Sequence, residues 1–250
     1  MALAQANHLQ QLFRHFDGLH KAARGIDVLY EQSRYQREGI IDPDKFPISE
    51  MHEVKKKWLS GWPSVASKLK QQLGFILKVK PSSLQHIDSG RGVYIDGKVP
   101  AGTFLGFVPG HFYQDFKKFS QHPDRLRLKQ YLHFPTDCII DLARVNCWPC
   151  EHELDGSFRN PYALGEIVNH PAPRTSANIC FQQIVIPKGF FPSYHLNYLP
   201  VERPTDSRKL TSIPAVGMFS LRELRPNEEL FVNCMEHHVY HIDAIPEWLV

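Results

Sequence analysis

Cys147-Trp148-Pro149-Cys150, with His152 close behind, has the ligand types and C-x-x-C spacing of a zinc knuckle, and His237, His238 and His241 form a second imidazole-rich stretch. A closed structural zinc site needs four ligands, and only three lie near the first cluster, so the same spacing suits a loop with two free cysteines and no metal is assigned. A zinc-dependent hydrolase would also need a general base, and no H-E-x-x-H pattern occurs. Three other stretches suit ligand binding. In Ser89-Gly90-Arg91-Gly92-Val93-Tyr94 the glycines would let backbone amides approach a carboxylate or a cofactor tail, although a lone Gly-x-Gly reads equally well as a turn at a strand edge. In Ile167-Val168-Asn169-His170 an amide that donates and accepts stands beside a ring that stacks and hydrogen-bonds; alone, His170 reads as a satisfied histidine. Pro226-Asn227-Glu228-Glu229-Leu230-Phe231 could by itself be any charged turn before a strand.

The elements that must carry these residues fall into two halves. Leu9, Leu12, Phe13, Phe16, Leu19, Ala23, Ile26 and Tyr30 recur at helical steps and predict an amphipathic helix, with His8, His15 and His20 on a partly solvated face. Ser49 is a candidate N-cap for a second helix carrying Met51, Val54 and Trp58, and Pro63 suits the first turn of a third carrying Val65, Leu69 and Leu73. Beyond Gly74 the pattern changes to short β-prone stretches at 92–95, 103–108, 137–142, 178–186, 216–221 and 229–232, separated by Gly, Pro and Asn. The proline-rich run 190–214 reads as a long loop or insertion. The expected class is α+β: a helical region over 1–75, then a β-rich domain over 76–250 with an insertion around 187–214.

Composition narrows the function classes. The 250 residues are 42% hydrophobic and 22% charged, enough for a real core, and the net charge of +3 comes from intermixed signs without a basic block, so direct nucleic-acid binding is not indicated. No apolar run approaches the ~20 residues of a membrane span, and the opening MALAQANHLQQLF lacks the layout of a signal peptide. Five cysteines without pattern suit a reducing compartment, so the expected location is intracellular, in nucleus or cytoplasm.

Taken together and in order, the three stretches resemble a SET domain, the fold of S-adenosylmethionine-dependent protein lysine methyltransferases. Ser89–Tyr94 with Val99-Pro100-Ala101-Gly102-Thr103-Phe104 is similar to the family's opening G-x-G-V and the following turn. Asn169-His170, with Asn178 later, is similar to the N-H motif and the asparagine that closes it, at a longer spacing because of Pro171-Ala172-Pro173-Arg174-Thr175. Ala215–Leu224 and then Pro226–Phe231 resemble the ending G-E-E-L-F-x-x-Y, with Asn227 in place of glycine, a mild change because asparagine tolerates the left-handed backbone. The resemblance spans Leu84 to Cys234.

The resemblance implies S-adenosyl-L-methionine as cofactor, held by Arg91, Gly92, Val93, Asn169, His170 and Phe231, a protein substrate bearing lysine, histone or otherwise, and a threaded, pseudoknot C-terminal segment. It also marks two departures. The family's reaction-centre tyrosine falls on Cys234, and an aromatic hydroxyl expected just after Asn178 falls near Phe181. Cysteine is smaller than tyrosine and a weak hydrogen-bond partner, so the resemblance leaves two expectations open: methyl transfer to a lysine, or a weak or inactive SET-fold pseudoenzyme that binds a partner.

Overall fold

The computed structural model describes residues 2–23, 63–64, 66–85, 89–113, 131–134, 138–141, 162–192, 199, 201–202 and 212–233. Helix α1 (Ala2–Ala23) realises the amphipathic pattern: Leu9, Leu12, Phe16 and Leu19 are buried in the same core cluster as the strands. Full burial of such a side chain stabilises by about 1.5–3 kcal/mol, which makes this face the reason the helix docks. His15 corrects the expectation of a solvated histidine face. It is buried, its ring edge-on to Phe104, Phe107 and Tyr162 at 5.1, 6.0 and 4.6 Å. Phe13, by contrast, is 43% exposed and stacks on Phe191 at 6.3 Å. The expected helix after Ser49 lies outside the described residues, whereas the third is found as α2 (66–73), with Leu69 buried.

Among the described residues, nine strands follow: β1 (Phe75–Pro81), β2 (Arg91–Gly97), β3 (Phe104–Val108), β4 (Gly110–Tyr113), β5 (Tyr131–Phe134), β6 (Cys138–Asp141), β7 (Ile179–Pro187), β8 (Val201–Glu202) and β9 (Ser212–Ser220). They form a β1-β2 hairpin, a β3-β9-β7 sheet and a β5-β6-β4-β8 sheet, antiparallel except for the β4–β8 pair. Every residue of β3 is buried. At Gly106 the register with β9 shifts, and a β-carbon there would strike the Tyr162 carbonyl, which accepts a 2.8 Å bond from the Phe107 N–H. Gln11 fastens α1 to this edge: its amide donates to the Gly102 carbonyl at 3.2 Å and accepts from the Phe104 N–H at 2.6 Å.

The stretch after β9 decides how distant segments meet. Residues 224–230 run along the free side of β2, with Leu224 and Val99 exchanging bonds of 2.8 and 3.1 Å, Ile95 donating to Glu228 at 3.0 Å and Leu230 donating to Val93 at 2.7 Å. The chain then forms parallel bridges from Phe231 to Asn169 and from Val232 to Ile179. Residues 229–232 thus make isolated bridges on three partners rather than the single strand expected from their sequence, because the run passes from β2 (Glu229, Leu230) to Asn169 (Phe231) and then to β7 (Val232). No helix among the described residues is long and apolar enough to cross a membrane.

Candidate functional site

The three stretches singled out by residue type meet where the 229–232 segment crosses from β2 to Asn169. Each is held there by local chemistry. Asn227 has φ 64°, the left-handed conformation that asparagine adopts at low cost, and it turns the chain into the 228–232 run. Lys80 donates to its side-chain oxygen at 3.1 Å. Asn178, 2% exposed, spends its side chain on the same run: Nδ2 donates to the Glu229 carbonyl at 2.8 Å and to Glu228 Oε1 at 3.0 Å, while Oδ1 accepts from the Phe231 N–H at 2.8 Å. Its backbone N–H also donates to the Phe231 carbonyl at 3.1 Å. Asn178 is therefore a clamp on the terminal segment, its hydrogen-bonding capacity committed within the protein.

Glu229 is the residue that sequence reasoning underrated. It is 4% exposed, and its carboxylate accepts from Ser82 Oγ at 2.7 Å, from the Ser83 N–H and Oγ at 2.7 and 2.5 Å, from the Tyr94 hydroxyl at 3.0 Å and from Asn169 Nδ2 at 3.3 Å. Burial pushes its carboxyl up, but the bonds from Ser83, Ser82 and Asn169 outweigh it and hold the group below the ordinary glutamate range. Gly92 makes this arrangement possible. A β-carbon there would overlap the carboxylate, so the close approach that the glycine permits is made by Glu229 crossing β2 toward the end of β1. Glu228 is pushed up by burial and held below the ordinary range by Arg222, the Arg225 N–H and Asn178.

Around this buried carboxylate stand the other candidates. Asn169 Nδ2 also donates to the Arg91 carbonyl at 3.1 Å, and its own carbonyl accepts from the Val232 N–H at 3.0 Å, which joins β2, the 169–170 segment and the terminal run. Val93 is fully buried and belongs to the core, Arg91 is exposed, and Phe231 and His170 are half-buried. Burial lowers the His170 imidazole pKa, favouring the neutral ring with one donor and one acceptor nitrogen. The short 3-10 turn Gly165–Ile167 and the buried Val168 and Pro171 fix the 169–170 pair from either side. Phe181 is buried and registers with Met218 in the β7–β9 ladder, so no hydroxyl stands there. Cys234, Cys147, Cys150, His152 and the 237–241 histidines lie outside the described residues; among those described, no group of three or more His, Cys, Asp or Glu could hold a metal ion.

The sequence is 28% identical over 186 residues to SET domain-containing protein 9 of Homo sapiens, across 66% of this chain and 60% of that protein. The chain resembles the SET domain family. The same identity over 186 residues holds for SET domain-containing protein 9 of Pongo abelii, at 65% of its length, so the chain spans somewhat under two thirds of these relatives. No family model matches the sequence. Among solved structures, a Polycomb Repressive Complex 2 chain in an autoinhibited conformation bound to S-adenosylmethionine overlaps 66% of this chain and 16% of its own length, at 12% identity and a TM-score of 0.35. The Chaetomium thermophilum complex bound to GSK126 gives 14% identity and a TM-score of 0.36, over 66% of this chain and 16% of the other. At these values the overlap decides nothing about ligand or activity.

Proposed function

We propose that this chain binds S-adenosyl-L-methionine beside the Gly92–Asn169–Phe231 junction and transfers its methyl group to a lysine of a protein substrate. The observation that carries the reading is the convergence of three stretches, far apart in sequence, on one buried carboxylate. The residue types at the junction suit the ligand's chemistry: the exposed Arg91 guanidinium matches a carboxylate, the neutral His170 ring can pair with a purine edge, and the half-exposed Phe231 offers an apolar face. Gly92, Val93 and Asn169 would shape the wall behind them. When bound, the cofactor supplies an activated methyl on sulfur; the protein supplies alignment and desolvation. Desolvation matters because a lysine with the reference pKa near 10.4 is neutral in only about one copy in a few thousand at pH 7. We read residues 1–75 as a helical region docked on a SET-like unit over 76–250, with the insertion around 187–214, and the bridges at Phe231 and Val232 as part of a threaded C-terminal ending.

A second reading is kept because Phe181 is a buried phenyl and position 234 is cysteine: a SET-fold module that binds a partner and transfers methyl slowly or not at all. Loss of one well-placed transition-state hydrogen bond costs about 2–4 kcal/mol, or roughly a factor of 30 to 1000 in rate. Mass-spectrometric detection of methyl transfer to lysine peptides separates the two. The first reading expects measurable turnover that rises at least tenfold in Cys234→Tyr; a variant with intact cofactor binding and no faster transfer would contradict the assigned role of position 234.

A further inference from the structure

We infer that Glu229 is a positioning residue whose carboxylate fixes the Asn169 side-chain amide in one orientation, and with it the wall formed by Gly92 and Asn169. This rests on the cofactor reading above and adds a residue to it. The five bonds divide between the two oxygens: Oε1 accepts from Ser82 Oγ and Asn169 Nδ2, Oε2 from the Ser83 N–H and Oγ and from the Tyr94 hydroxyl. Hydroxyls can reverse their role, but the Asn169 amide nitrogen and the Ser83 backbone N–H can only donate, and they face different oxygens. A carboxylate satisfies both. A glutamine of the same size cannot, since either amide rotamer sets an NH2 group against one obligate donor. With Nδ2 committed to Glu229 and to the Arg91 carbonyl, the Asn169 amide is held with its donor side inward and its acceptor oxygen directed elsewhere.

Two charged neighbours among the described residues are engaged elsewhere. Lys80 lies over the Tyr94 ring at 5.0 Å and donates to Asn227, and Glu228 is engaged by Arg222 and the Arg225 N–H.

The test follows the Asn169 side-chain amide by NMR at neutral pH in the full chain, together with calorimetric titration of S-adenosylmethionine. Glu229→Gln is expected to move the Asn169 amide protons upfield and to weaken binding about tenfold. Ser82→Ala leaves the charge and removes the competing donor on Oε1, so it is expected to move the same signal in the opposite sense. An Asn169 signal unmoved in both variants would overturn the inference, as would an unmoved signal in Ser82→Ala if Glu229→Gln does not fold. If the parent binds no S-adenosylmethionine, the cofactor reading fails while the Asn169 signal still decides whether Glu229 orients the amide.

Discussion

At the level of single residues, the junction depends on atoms that are missing as much as on those present. Gly92 has no side chain, and the Glu229 carboxylate occupies the space a β-carbon would need. Gly92→Ala is therefore expected to destabilise the chain by about 2–4 kcal/mol through overpacking and displaced hydrogen bonds, measured by urea unfolding. An unchanged midpoint would mean that the carboxylate moves aside at little cost. Asn178→Ala removes both halves of the clamp and leaves the half-buried Phe231 N–H and the buried Glu229 carbonyl short of partners, for an expected loss of about 2–4 kcal/mol. The left-handed turn at Asn227 was legible in the sequence because asparagine is one of few residues that enter it cheaply, and φ 64° bears this out. The roles of Ser82 and Ser83 were not. Two adjacent serines carry no local signal, and their partner Glu229 lies 147 and 146 positions away.

Among the elements, α1 is held by its apolar face and by Gln11. Leu12 is fully buried, so Leu12→Ala is expected to cost about 2–5 kcal/mol, whereas truncating the exposed Phe13 should cost much less; thermal unfolding of the two variants checks the contrast. The periodicity located this helix, and β2, β3, β6 and β7 fall close to their expected spans. β9 begins at Ser212, ahead of the expected 216, because Pro214 reads as a break. The structure accommodates Pro214 opposite Val185, before the residues at which β3 joins the other side of β9, and proline is tolerated where a strand has one neighbour. β1, β4, β5 and β8 were not anticipated; the last three are only two to four residues long, too short for an alternating pattern to register, whereas β1 has seven residues that directly follow the helical region. Lys70 of α2 and Lys78 of β1 both reach Asp96 of β2, at 2.8 and 2.6 Å, a cross-element tie visible only once the hairpin is formed.

At the scale of the whole molecule, carboxylates among the described residues tie separate parts of the chain together, among them Asp96, lowered chiefly by the bond from Lys70, and Glu228 and Glu229, lowered by their bonds against the effect of burial. A depressed folded-state pKa contributes stability that is present above the unfolded value and is lost as the pH falls through the folded one. Stability should therefore decline on acidification below about pH 4, near the unperturbed carboxylate values, with Glu229→Gln showing a smaller further loss because its contribution is already absent. Urea unfolding at pH 7 and at about pH 3 or below measures this, and equal acid losses in parent and variant would remove Glu229 from the account. The meeting of the three stretches was foreseeable only through the SET resemblance, since nothing local in the sequence states which segments touch. The central claim is that the junction serves a cofactor, and its most direct test is calorimetric titration of S-adenosylmethionine and S-adenosylhomocysteine into the purified chain and its His170→Ala variant. The account predicts one site with a dissociation constant on the order of 10 μM, weakened about tenfold in the variant; a folded parent that gives no binding heat with either ligand would contradict it.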